Sequence, residues 1–188
     1  QGGKILVPTF AIGRAQQIIY HLAIMFTEGQ VKRLPVYLDS PMAIEASKVF
    51  ARYPDLYDED LLRLKKSGTA PLDPKWFTPS VTADDSKKLN DVQGSCMILA
   101  GAGMCTGGRI LHHLAHRLPD SRNTVLFVGY QAEGTRGRSL LEGAKQLKIH
   151  GQMVDVRADI KMLGQFSGHG DYSEILRWVG NFKKSPRG

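Results

Sequence analysis

Cysteine is scarce in this chain. Cys96 and Cys105 are the only two in 188 residues, too few and too poorly spaced for a disulfide framework or a thiolate zinc site. They read as buried small hydrophobes in a reducing compartment. No apolar run approaches the roughly 20 residues that a membrane helix needs, and no charged, apolar, small-residue leader precedes the first strand. The expectation is a soluble, cytoplasmic chain with no membrane partner. Repeats and low-complexity segments are absent, and 42% hydrophobic content supports a sizeable core, most simply in one domain.

Acidic residues are also under-represented, giving a net charge of +7 that is unevenly placed. Residues 1–94 hold 12 Lys/Arg against 11 Asp/Glu, whereas residues 95–188 hold 13 against 7. Clustered cations neutralise phosphates and release counterions, so the basic second half fits a polyanionic partner. A domain kept soluble by its charge is the other reading that composition allows.

The pattern along the chain alternates strand and helix. Lys4–Pro8 is a short apolar run, followed by a helix over Ala15–Thr27 with Ile18, Ile19, Leu22 and Phe26 spaced for one buried face. Pro35–Leu38 is a second strand, after which Asp39-Ser40-Pro41 reads as strand end, N-cap and first helical turn of a helix through Ala51. Residues 54–94 are rich in proline and charge and predict short helices, one at Asp58–Lys66. Cys96–Ala100 and Thr124–Val128 are apolar without alternation, as strands covered on both faces are. Helices are expected at Arg109–Arg117 and Thr135–Lys145, with a hairpin of Gln146–His150 and Met153–Ala158 turning at Gly151-Gln152. This order predicts a three-layer α/β domain with a mostly parallel sheet.

The loop Gly101–Gly108 follows an apolar strand and opens a helix, where backbone amides and the helix dipole favour an anion. The residues leave two readings open, a phosphate-contacting loop or a tight turn without a ligand. Gly101-x-Gly103-x-x-x-Gly107 is also a loose dinucleotide fingerprint, but the first acid after the next strand, Glu133, comes late for it. A nucleotide-binding Rossmann-like domain is therefore a minor alternative. Arg14 and Arg109 both stand at helix starts, against the dipole preference. They are candidate phosphate contacts, the competing reading being ion pairs with carboxylates such as Asp39 or Glu133. His112 and His116 share a helix face, yet with no third ligand nearby they read, with His113, as a solvated or capping face.

Four motifs add a resemblance. Val7–Gln16, Gly103–Arg109, Val128–Thr135 and Phe166-Ser167-Gly168-His169-Gly170-Asp171, in this order and spacing, resemble the β-CASP branch of the metallo-β-lactamase superfamily, whose members cut RNA or DNA at a two-zinc site. Many members have two serines where this chain has Gly101 and Ala102. The resemblance implies a β-CASP domain at 1–160 and a segment at 161–188 that returns to a metallo-β-lactamase domain. The family's His-x-His-x-Asp-His cluster does not occur in these residues, so the resemblance implies a piece of a longer enzyme whose two zinc ions are held elsewhere.

The function this implies is part of a zinc-dependent ribonuclease, of the RNA-processing group that includes RNase J and the endonuclease of mRNA 3′-end cleavage. His169 is then the catalytic residue at the scissile phosphate. Arg14, Gly103, Met104, Gly107, Gly108, Arg109 and Ser167 are the expected substrate-binding residues, with single-stranded RNA held by its phosphates. No metal ligand is assigned within the chain, and homodimer formation is left open. The alternative is a non-catalytic nucleic-acid-binding module.

Overall fold

The computed structural model describes residues 2–66, 68–70, 72–166 and 170–184. Its strands are β1 (Lys4–Pro8), β2 (Val36–Asp39), β3 (Thr78–Pro79), β4 (Cys96–Ala100), β5 (Thr124–Phe127), β6 (Gln146–Ile149), β7 (Gln152–Asp155) and β8 (Asp159–Met162). Its α-helices are α1 (Arg14–Thr27), α2 (Pro41–Arg52), α3 (Glu59–Lys66), α4 (Ala83–Lys88), α5 (Arg109–Arg117), α6 (Arg136–Leu141) and α7 (Tyr172–Gly180). No helix among the described residues is long and apolar enough to cross a membrane.

Six strands form one sheet in the order β3-β2-β4-β1-β5-β8, and every pairing in it is parallel. Parallel neighbours need crossovers, and the crossover helices cover both faces. Successive residues of a strand point to opposite faces, and the core divides accordingly. Leu6, Ile98, Ala100, Val125 and Phe127 pack with Ile110, Leu114 and Leu118 at α5. Val7, Met97, Leu99 and Val36 pack with Ile18 and Ile19 of α1 and Ile44 of α2. The result is the expected three-layer α/β arrangement, in which each fully buried Leu or Ile contributes roughly 1.5–3 kcal/mol.

Several local expectations need correction. The helix expected over Thr135–Lys145 stops at Leu141, because Gly143 adopts φ 87, the left-handed conformation that ends helices. The hairpin β6-β7 turns at His150-Gly151, not Gly151-Gln152. Both turn residues have positive φ, 48 and 83, which matches the twist of tight hairpins. Within 54–94 the short edge strand β3 joins the sheet beside β2, and α4 begins at a capping box between Thr82 and Asp85. Strand β8, Asp159–Met162, which the sequence did not mark, pairs with β5 at the sheet edge.

Strands β1 and β4 are neighbours, but the chain leaves β1 toward β2 and leaves β4 toward β5. The crevice at their carboxyl ends is therefore a topological switch point, the place where open α/β sheets take ligands.

Candidate functional site

Two loops meet at the switch point. The loop after β1 runs beside the loop after β4, with Thr9 N–H donating to Ala100 O at 3.0 Å. The second loop closes on itself: Ala102 N–H reaches Gly107 O at 3.1 Å, Cys105 N–H reaches Ala102 O at 3.1 Å, and Ile110 N–H reaches Gly101 O at 3.0 Å. Gly108 sits at φ 75, ψ −173, a conformation open essentially to glycine alone. A Cβ there would fall 2.4 Å from Gly101 O. Cys105 is wholly buried inside the loop, and burial pushes its thiol up to about 12, so it offers no thiolate.

Closing the loop leaves donors over. The N–H groups of Gly103, Met104, Thr106, Gly107, Gly108 and Arg109 have no hydrogen-bond partner among the described residues. The helix that follows adds to this, since α5 has Gly108 at its N-cap, no side-chain cap and no acid in its first turn. By contrast α2, α4, α6 and α7 all carry side-chain caps.

A cleft of about 510 Å³ opens here, between Thr9–Ala11, Asp39–Met42, Gly101–Gly103 and Gly108-Arg109. Of the residues expected to bind substrate, Gly103, Gly108 and Arg109 line it. Met104 and Gly107 do not. Met104 O instead accepts from Gly137 N–H at 3.2 Å, and Gly107 O from Ala102 N–H, so both act in holding the loop. Arg14 lines an adjoining cleft of about 700 Å³. Its guanidinium donates to Gln17 Oε1 at 2.8 Å and lies 5.8 Å from the Phe166 ring. Phe166 also packs edge-on to His21, which anchors the entry to the last motif on α1. Ser167 and His169 themselves lie outside the described residues.

Beneath the cleft, Asp39 is 0% exposed and fully engaged. Its Oδ1 accepts from Arg109 Nη1 at 2.7 Å, and its Oδ2 from Ser86 Oγ and His113 Nε2, each at 2.5 Å. Arg109 also donates to Ser80 O and Val81 O, so most of its fork is committed to the protein. Asp39, not Glu133, is its carboxylate partner. His113 is 1% exposed, which corrects the reading of the three histidines as a solvated face. Its Nδ1 receives a 3.2 Å bond from Arg117, whose Nη2 donates to Leu89 O. An imidazole that accepts at Nδ1 and donates at Nε2 is the neutral tautomer.

The pKa directions agree with that assignment. Burial alone would raise the Asp39 carboxyl, but hydrogen bonds from His113, Ser86 and Arg109 together hold it below its ordinary value. Burial pushes His113 below its ordinary value, and the Arg117 charge adds to this against the pull of Asp39. The network therefore contains one carboxylate, two guanidinium groups and a neutral imidazole.

His112 stacks on His150 at 4.4 Å between centroids, and His116 borders a separate cleft of about 320 Å³ with Lys87 and Asn90. Among the described residues no three His, Cys, Asp or Glu side chains group to hold a metal ion. The described side chains do not fit a zinc site, and both cysteines are buried.

With this geometry in view, comparison with known proteins is decisive. A model of the β-CASP domain matches residues 15–140. The chain belongs to the β-CASP family. A second model, the Zn-dependent metallo-hydrolase RNA specificity domain, matches residues 153–186. Among relatives, a ribonuclease of Thermus thermophilus is 41% identical over 180 residues, covering 95% of this chain and 41% of that protein. Transcription termination factor FttA of Methanocaldococcus jannaschii is 33% identical, covering 99% of this chain and 30% of the factor. An RNase J-like protein of the same organism is 33% identical over 99% of this chain and 41% of its own length. The chain thus spans well under half of each of these relatives.

Within this β-CASP domain, sequence reasoning found the glycine loop and both arginines but missed the buried network. One signal was available: His113 and Arg117 stand four apart on the helix face that carries Ile110 and Leu114, a poor place for polar groups unless they have partners.

Proposed function

We propose that this chain is the RNA-gripping part of a zinc-dependent ribonuclease. The single observation that carries the reading is the set of unpartnered N–H groups on Gly103, Gly108 and Arg109 lining a cleft at the switch point of a β-CASP sheet. Backbone donors with an adjacent guanidinium suit a phosphate oxygen, which accepts several such bonds at once. Arg14, in the adjoining cleft, adds a cation for the next phosphate of a single strand.

The family relationship supports hydrolysis of RNA by the whole protein, with two zinc ions whose ligands come from outside this chain. Zinc bound outside this chain would supply the activated hydroxide, and this chain supplies grip and orientation. On this reading His169 assists at the scissile phosphate and Ser167 binds beside it. The segment from about residue 161 joins the domain to the metal-bearing part. Its helix α7 supports this, since Ile175, Leu176 and Trp178 are all exposed.

The test is a titration of the chain with single-stranded RNA at several salt concentrations. Affinity falling steeply with salt, as phosphate contacts require, supports the reading. An affinity independent of salt, or no binding, rejects it.

A further inference from the structure

Phe10 lies at the mouth of both clefts. It is the second residue beyond β1, it is 46% exposed, and its ring lies against the Gly103 backbone. A Cβ on Gly103 would come within 3.0 and 3.1 Å of two ring carbons, so the glycine backbone abuts the ring and no side chain fits between them. The ring forms part of the wall of the 510 Å³ cleft and of the 700 Å³ cleft, in each case beside Met42, also exposed.

One of the two clefts is also lined by Gly103, Gly108 and Arg109, whose N–H groups have no partner among the described residues. The other is lined by Arg14, which has no carboxylate partner among the described residues. A half-exposed aromatic ring shared by two clefts that carry phosphate-seeking groups has the composition of a single-strand site: phosphates to the donors, a base to the ring. An apolar side chain of a protein placed here would cover the ring but leave the flanking donors without acceptors. A nucleotide satisfies both.

We propose that Phe10 is a base-stacking platform, on which one nucleobase of single-stranded RNA rests while the glycine loop and Arg14 hold the flanking phosphates. The proposal rests on the reading that this chain grips RNA. Stacking accepts every base, so the platform adds affinity and register without sequence preference.

The experiment removes the base and the ring separately. Single-stranded RNA oligomers, intact or with one abasic position moved along the strand, are titrated into the chain and its Phe10→Leu and Phe10→Trp variants. Leucine keeps an apolar group against Gly103, and thermal melts check each fold. For the unmodified chain, one abasic position should weaken binding by about 5- to 150-fold, the usual worth of one stacked base. Phe10→Leu should weaken binding of the intact oligomer to a similar extent and lose sensitivity to the abasic position, while Phe10→Trp keeps both. The salt slope should be the same for all three proteins. Equal binding of intact RNA by Phe10→Leu and the unmodified chain, or an abasic penalty that persists in Phe10→Leu, overturns the platform and leaves the RNA reading standing. Failure of intact RNA to bind the unmodified chain overturns both.

Discussion

His113 Nε2 donates to Asp39 Oδ2 at 2.5 Å, a bond between residues 74 apart that joins β2 to α5 beneath the cleft. With Arg109 on the other carboxylate oxygen, the Asp39 charge is the hub on which both helix and loop are set. Removing one partner of a buried ion pair strands the other. Asp39→Ala is expected to destabilise the fold by about 3–5 kcal/mol, read as a lowered urea midpoint with an unchanged slope. A midpoint close to that of the unmodified chain would show that the network is dispensable.

Acid should weaken the fold in two stages. His113 titrates below its ordinary 6.5 when folded, so below that value the unfolded chain binds a proton that the folded chain refuses. Stability then falls as pH drops from about 6.5 toward the folded value. Asp39 titrates below its ordinary 3.8, so its contribution is present above that value and is lost as pH falls through the lowered one. Urea midpoints measured from pH 8 to 3 should decline in that order, and His113→Gln should flatten the first decline.

Two neighbouring glycines should behave oppositely. Gly108→Ala meets a forbidden backbone conformation and a contact of 2.4 Å with Gly101 O, and is expected to destabilise by about 2–4 kcal/mol. Gly107 has nothing within 4 Å of an added Cβ, so Gly107→Ala should change stability by less than about 0.5 kcal/mol. Thermal unfolding of the two variants side by side decides the matter.

The two arginines should also separate. Arg14 is tied only to Gln17 and the Phe166 ring among the described residues. Arg14→Ala should leave stability almost unchanged and reduce the salt slope of RNA binding by about 0.7, one phosphate on a single strand. Arg109→Ala should lower folding stability as well, because it unpairs Asp39. Joint denaturation and binding measurements distinguish the two, and an Arg14→Ala slope equal to that of the unmodified chain would remove Arg14 from the interface.

On the proposed function, in a zinc-dependent ribonuclease that includes this chain, His169→Ala should lower single-turnover cleavage by about 10²–10⁴, the usual worth of a positioned acid–base group. Zinc content and RNA affinity should stay near normal. Loss of zinc in that variant would make His169 a metal ligand, and unimpaired cleavage would make it a structural residue.

Most of the fold was legible in local pattern. Cys96–Ala100 is apolar throughout and is the strand that it reads as, while Ser40-Pro41 caps and starts α2 as its chemistry requires. The misread elements depend on neighbours outside the window: β3 is a two-residue strand that exists only because β2 offers it an edge, and a two-residue apolar signal has no periodicity to read. Phe10 shows the same limit at the site. In the sequence it is one aromatic in a loop, and nothing local says that Gly103, 93 residues later, will lie against its ring.

The amino-acid sequence by itself determined the apolar central strands, helices such as α2 with its Ser40-Pro41 start, and the glycine loop, because apolar periodicity, steric preference and capping are properties of residues close together in the chain; the family was legible in the motifs. Only the tertiary structure decided that Arg109 divides its fork among Asp39, Ser80 O and Val81 O, that His113 is buried and neutral, and that Phe10 lines two clefts. Those outcomes follow from strand order. The adjacency of β1 and β4 brings the loops together and the β2 position sets Asp39 beneath α5, and no local pattern encodes which parallel strands become neighbours.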